Sequence, residues 1–227
     1  DTTLVFGDAR VPLVRGGQLT RSENIDGQYS MRTMLTYGFP FQWLNTNVNL
    51  SMFGSLSRTP GRINNVTNYS TTPSVGASVV LASNISPEVD YTISSLSIYS
   101  DVRNSLRSEL NTNTFQQNTR VKLNWTFWEG FVLTSDLTHT VSNGQTASFN
   151  QNFVMWNLGL GKKFLPNDAA EIRLSVFDVL NQNVSTSRTS NELYIEDNRV
   201  QVLQRYLLLS FSYTLRSFTG GFAKESE

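Results

Sequence analysis

Apolar residues recur at every second position through most of the chain. From Leu44 to Leu56 the even positions read Leu44, Thr46, Val48, Leu50, Met52, Gly54 and Leu56, while the odd ones read Asn45, Asn47, Asn49, Ser51, Phe53 and Ser55. A period of two places the first set on one face of a β-strand and the second on the other. Thr119 to Phe127 repeats the pattern, with Val121, Leu123, Trp125 and Phe127 against Arg120, Lys122, Asn124 and Thr126. In Phe131 to Val141, Phe131, Leu133, Leu137 and Val141 oppose Thr134, Asp136, Thr138 and Thr140. The sharpest case runs from Arg205 to Leu215: Leu207, Leu209, Phe211, Tyr213 and Leu215 share a face, opposed by Tyr206, Leu208, Ser210, Ser212 and Thr214. Further strands are predicted over Tyr29–Phe39, Ser74–Ala82, Val89–Val102, Phe153–Phe164 and Ile172–Leu180, making nine. In the strand after Val89 the apolar parity changes, from Val89, Tyr91 and Ile93 to Leu96 and Ile98, which predicts a bulge.

The connections alternate in length. Short ones at Phe39–Gln42, Ser86–Glu88, Trp128–Gly130 and Leu165–Asp168 are rich in turn formers, and long ones at Ser57–Pro73, Arg103–Asn118, Ser142–Asn152 and Asn181–Gln204 are rich in Asn, Ser, Thr and Arg. A transmembrane barrel has tight periplasmic turns and long extracellular loops, so the alternation predicts an antiparallel transmembrane β-barrel with its C-terminus periplasmic. Trp43, Trp125, Phe127, Trp128, Phe131 and Phe164 gather at the short turns, where an interfacial girdle would lie, and Tyr29, Tyr69 and Tyr206 lie nearer the long loops. Aromatic residues at strand ends also cap ordinary β-sandwiches, which keeps a soluble sandwich as the alternative. Complete single-chain bacterial barrels have an even strand number. Nine strands therefore predict a piece of a larger barrel. Its parts are expected to be residues 1–28, the end of a preceding strand (Leu4–Phe6) and an extracellular loop; residues 29–216, the barrel strands; and a polar tail at 217–227.

Composition agrees. Charged residues make up 16% of the 227 and apolar ones only 39%, so neither a solvated surface nor a large core dominates; strands with one apolar face need no more. Eighteen basic and eighteen acidic residues leave no net charge to attract nucleic acid. There is no Cys, which removes disulfides, thiolate metal sites and thiol nucleophiles. No apolar run approaches the roughly 18 residues of a membrane helix. Asp1 begins neither a signal peptide nor an obvious targeting segment, so a secretion signal, if the protein is exported, lies outside this sequence.

Candidates for chemistry are few. His139, the only histidine, shares a face with Leu137 and Val141, and a lone histidine so placed is more often structural or interfacial than a base or ligand. Asp136, its nearest carboxylate, falls on the opposite face, which disfavours a Ser-His-Asp site. Glu192, Glu196 and Asp197 cluster before the last strand, where adjacent residues on extended chain point apart and a solvated loop is the expected reading. Gly159 and Gly161, inside a strand, are read as room for neighbouring side chains, not as a phosphate cradle. Asn-x-Ser/Thr matches such as Asn65-Val66-Thr67 are expected by chance in an Asn-rich chain. No catalytic residue, cofactor or metal is expected. The lumen-facing candidates are Asn45, Asn47, Asn49, Arg120, Lys122, Asn124, Arg173 and Ser175, contacting a plug or a solute; the lipid-facing row is Leu207, Leu209, Phe211, Tyr213 and Leu215.

Several stretches resemble a known family: Tyr29–Gly38, Ser57-Arg58-Thr59-Pro60-Gly61, Val102-Arg103-Asn104-Ser105-Leu106, Asn150–Phe153 through Trp156-Asn157, Gly161-Lys162-Lys163-Phe164, Phe177-Asp178-Val179-Leu180-Asn181-Gln182-Asn183 and Tyr194-Ile195-Glu196-Asp197 through Arg205-Tyr206. In order and coverage these resemble the outer-membrane β-barrel proteins of Bacteroidota, relatives of TonB-dependent receptors. The resemblance implies a parent of about 22 strands with a plug, uptake of a solute gated by a periplasmic TonB-type coupling protein, and outer-membrane lipid, the plug, the remaining strands and a surface lipoprotein as partners. This chain shows neither plug nor energy-coupling motif. The other functions weighed are a soluble secreted β-sandwich for adhesion or glycan binding, and a barrel without uptake activity.

Overall fold

A computed structural model describes residues 2–5, 19–83, 86–144, 150–183, 185–190, 195–200 and 203–215. Strand β1 (Thr2–Val5) pairs with β2 (Leu19–Ser22) as a separate two-stranded sheet, so part of the expected first loop is strand; Phe6 lies outside the described residues. A single antiparallel sheet follows: β3 (Tyr29–Phe41), β4 (Thr46–Ile63), β5 (Val66–Ser83), β6 (Val89–Asn104), β7 (Thr112–Phe127), β8 (Phe131–Asn143), β9 (Gln151–Phe164) and β10 (Ala170–Phe177), each beside its predecessor. The chain then forms a second hairpin, β11 (Ser185–Ser190) with β12 (Ile195–Val200), and returns as β13 (Tyr206–Tyr213) along β10. These are the nine expected strands. The sheet does not close, leaving β3 and β13 as its edges.

Cross-strand partners share a face, so the ladders test the alternation. Phe39, Val48, Leu81, Ile93, Val121, Leu137 and Trp156 form one continuous row through seven strands. Leu133, Leu160, Leu174 and Leu209 form another. All belong to one apolar face, and that face is bare: Leu35, Met52, Leu160, Leu174, Leu209 and Phe211 are exposed, while among the described residues only Ile63, Val132 and Ala170 are buried apolar side chains. A sheet with so small a core would leave about 1.5–3 kcal/mol per large apolar side chain unclaimed in water. A β-sandwich needs this face covered by a second sheet, and no such sheet is present among the described residues.

The rows run obliquely to the turns. The row through Phe39 lies two residues from the short-turn end of β3 at Phe41, but its member Trp156 lies eight residues from the short-turn end of β9 at Phe164. That is about one residue of stagger per strand. With a rise of about 3.3 Å and strands about 4.8 Å apart, the strands tilt by about 35° from the normal to the plane of the short turns, as barrel strands do.

Three expectations are corrected. The ladders of β6 with β5 and β7 keep one register throughout, so the parity change after Val89 is no bulge; Leu96 and Ile98 lie on the polar face. The segment Ser57–Pro73 is no long loop: β4 and β5 each run 18 residues and join through Asn64 and Asn65, both with positive φ (48° and 64°), as a tight hairpin requires. Pro60 is tolerated because it lies beyond the last β3 partner of β4 at Arg58, and Pro73 falls where the β5–β6 pairing skips from Thr71 to Ser74 without a change of register. The Arg103–Asn118 and Ser142–Asn152 connections likewise shrink, because β6, β7, β8 and β9 extend into them.

Candidate functional site

The polar face carries the charged residues that alternation set opposite the apolar rows. In the middle of the sheet Lys122, Asn124, Arg173 and Ser175 line a hollow of 390 Å³ together with Asp90, Thr92, Thr134, Asp136, Asn157 and Phe177. Arg120 joins it through Asp136: its Nε donates to one carboxylate oxygen at 2.8 Å and its Nη2 to the other, the forked geometry that suits a guanidinium. Arg173 donates from Nε to Glu171 at 2.6 Å and from Nη1 to the Thr134 hydroxyl at 3.4 Å. Lys122, two residues along β7 from Arg120, makes no ion pair among the described residues. Three cations (Arg120, Lys122, Arg173) thus balance three carboxylates (Asp90, Asp136, Glu171), with amides and hydroxyls between them.

Glycines make the hollow. A Cβ on Gly159 would stand 2.5 Å from the Thr134 hydroxyl, and one on Gly161 would stand 2.5 Å from a Glu171 carboxylate oxygen, so the glycines are where those side chains lie, as expected. One wall is a stacked pair, Phe177 on Tyr206, with centroids 4.7 Å apart and planes at 13°. Below it Asp178 ends β10 with φ at 51° and is buried. Its carboxylate accepts the backbone N–H of Gln182 at 2.9 Å and of Asn183 at 3.0 Å, and its own N–H donates to the Asn157 side chain at 2.9 Å. The Gln182 side chain accepts the Val154 N–H at 2.9 Å. The Phe177–Asn183 segment is therefore a clasp joining the ends of β9 and β10.

Of the residues expected to face a lumen, Arg120, Lys122, Asn124, Arg173 and Ser175 come together. Asn47 and Asn49 share the polar face but lie on β4, where Asn49 reaches across Gly38. Asn45 is not on a strand: it closes the 3-10 turn Gln42–Leu44 with φ 44° and ψ 49°, its N–H on the Gln42 carbonyl, because Asn tolerates the left-handed region that the turn needs. Asp90 and Thr92, on the face opposite Val89, Tyr91 and Ile93, were not among the candidates; pairing with Asn124 and Lys122 brings them into the polar set. Leu207, Leu209, Phe211 and Tyr213 occupy the apolar face, and Leu215 lies beyond the end of β13.

The apolar face has its own exceptions. The His139 Nε2–H donates to the Asn152 side-chain oxygen at 2.8 Å, on the face opposite Asp136, and Ser95 meets Thr119 at 2.9 Å. The Trp156 indole N–H is satisfied by the Ser135 hydroxyl at 3.0 Å. Lys162 folds towards the short turn, its ammonium on the Glu129 carbonyl and 4.5 Å from the Phe131 ring centroid. Around it Trp125, Phe127, Trp128 and Phe131 pack as one aromatic cluster, with centroids 4.8–6.0 Å apart. Among the described residues no three His, Cys, Asp or Glu side chains could hold a metal, and no helix is long and apolar enough to cross a membrane. Glu192 lies outside the described residues; Glu196 and Asp197 pair with Thr189 and Arg188 in the β11–β12 ladder.

Residues 61–213, from the last three residues of β4 to the end of β13, match an outer membrane protein beta-barrel family. The chain belongs to that family. It is thus an outer-membrane barrel protein, and the bare apolar face is that of strands that cross a membrane. No curated protein and no solved structure matches it.

Proposed function

We propose that this barrel protein is the C-terminal section of a larger TonB-dependent-receptor-like transporter in the outer membrane of a Bacteroidota bacterium, with its C-terminus periplasmic. The apolar face meets lipid and the polar face lines the lumen. The observation that carries this reading is the hollow around Lys122, Asn124, Arg173 and Ser175: charge-balanced, rich in hydrogen-bonding groups and on the face away from lipid, it suits reversible contact with a plug or a passing polar solute. The open edges of β3 and β13 support a larger barrel, since unpaired backbone is not tolerated in the hydrocarbon and further strands must pair there. The short turns and the end of β13 share one rim with the aromatic clusters, which supports a periplasmic C-terminus. Function then consists of binding and passage without covalent chemistry. The partners are outer-membrane lipid, the plug and remaining strands, a TonB-type coupling protein and a surface lipoprotein.

The absence of Cys makes the test clean, because one introduced thiol in this chain is unique within it. Lys122→Cys in the intact protein is exposed to a membrane-impermeant maleimide on whole cells. Gated transport predicts labelling that rises several-fold when the coupling protein is present and the membrane energised. Labelling indifferent to both would favour a barrel that does not transport.

A further inference from the structure

Four charged side chains line the hollow on the polar face: Asp90, Lys122, Asp136 and Arg173. Two of them are neutralised by neighbours. Asp136 holds the Arg120 guanidinium with both oxygens, although its direct partner across the β7–β8 ladder is Lys122. Arg173 turns to Glu171 at 2.6 Å. Lys122 and Asp90 remain. Neither is in an ion pair among the described residues, and Asp90 accepts one hydrogen bond, from the Ser83 hydroxyl at 3.3 Å. The other charged groups near this face stand apart from the hollow. Glu88, Glu129, Lys163 and Asp168 lie at the short-turn rim, and the two oxygens of Asp178 are taken by the Gln182 and Asn183 amides.

Asp90 sits directly opposite Asn124, and Lys122 opposite Thr92, so the two charged residues are diagonal neighbours with backbones about 7–8 Å apart. Their charges do not meet, and both face the same opening. A net anion would gain Lys122 but be repelled by Asp90, and a net cation the reverse. A ligand carrying an ammonium and a carboxylate a few bonds apart satisfies both, with the Asn124 carboxamide and the Thr92 hydroxyl between them for its neutral polar groups. The volume of 390 Å³ lies at the small end of the range of about 300–1,000 Å³ usual for ligand pockets. We propose that the hollow binds a small zwitterion, an α-amino acid or a short peptide with both ends free, its ammonium on Asp90 and its carboxylate on Lys122. The inference rests on the transport reading above and names the class of solute for that site.

The test is calorimetric titration of the intact protein in detergent micelles at neutral pH. The probes are leucine, alanyl-leucine, and alanyl-leucine blocked by N-acetylation, by C-terminal amidation or at both ends. At least one of the two zwitterions should bind saturably, the tighter showing whether a free amino acid or a peptide is preferred. Each single block on alanyl-leucine should weaken binding at least about tenfold, as loss of one charge-assisted contact does. Lys122→Gln should weaken alanyl-leucine to a similar degree and cease to distinguish it from its amide. Asp90→Asn should cease to distinguish it from the N-acetyl form. No saturable binding of either zwitterion, equal affinity for free and doubly blocked peptide, or variants that weaken free and blocked peptides alike would overturn the proposal. The blocking series needs only wild type, so a variant that fails to fold leaves the test decisive. Energised labelling of Lys122→Cys without zwitterion binding would sink this inference alone, whereas zwitterion binding without energised labelling would keep the site and refute gated transport.

Discussion

Leu208 and Leu209 are chemically identical neighbours on β13 that face opposite sides of the sheet, and replacing each in turn by Arg separates lipid from lumen. Leu209 lies in the row Leu133, Leu160, Leu174, Leu209, four residues from the end of β13 at Tyr213. At about 2.7 Å of height per residue that is about 11 Å from the rim, near the middle of an apolar band about 25 Å tall. An arginine on the lipid side at that depth costs about 2–4 kcal/mol, a factor of about 30 to 900 in the unfolding equilibrium. Leu208 pairs with Ser175, which lines the polar hollow, so an arginine there meets hydroxyls and water and should cost about 0–1 kcal/mol. The assay is denaturant-driven unfolding of the intact protein in lipid vesicles, with midpoint and slope fitted for wild type, Leu208→Arg and Leu209→Arg. Equal losses would mean that β13 has no lipid side, and a larger loss for Leu208→Arg would reverse the faces of the whole sheet, because the ladders tie every strand to this one.

Asp178→Ala removes the acceptor for the Gln182 and Asn183 amides and should loosen the clasp by about 2–4 kcal/mol; hydrogen exchange at residues 178–183 should speed up while exchange in the centre of β7 is unchanged. In the β6–β7 connection the carboxyl of Glu109 sits below its ordinary range, held first by its own backbone N–H and next by the Arg107 guanidinium at 3.2 Å. A depressed folded-state value means the contribution is present above the ordinary carboxylate pKa of 4.5 and is lost as pH falls through the lowered value; the Leu110 and Asn111 amides should therefore exchange faster, relative to their intrinsic rates, below that range, and Glu109→Gln should flatten the dependence.

How much could be read from the sequence follows the same physics. Hydrophobic alternation exists only where one face meets an apolar environment, so the apolar stretches of β4, β7, β8 and β13 were legible almost residue by residue. Beyond the band both faces are polar and the period of two carries no contrast. This is why Thr59 to Ile63, Val66 to Asn68 and Thr112 to Asn118, strand in the structure, read as loop; Pro60 and Pro73 stand in those strands where a ladder partner on one side is missing. The parity change in β6 misled for a related reason. Ser95 and Ser97 occupy the apolar face where bulky residues were expected, and Leu96 and Ile98 turn the other way, so hydrophobicity mimicked a bulge that the unbroken register excludes. The hollow was half legible: parity placed Lys122, Asn124, Arg173 and Ser175 on one side, but bringing Asp90 and Asn157 to the same opening depends on the stagger between strands. That stagger is set by the register of each hairpin, and no local pattern of residues states it.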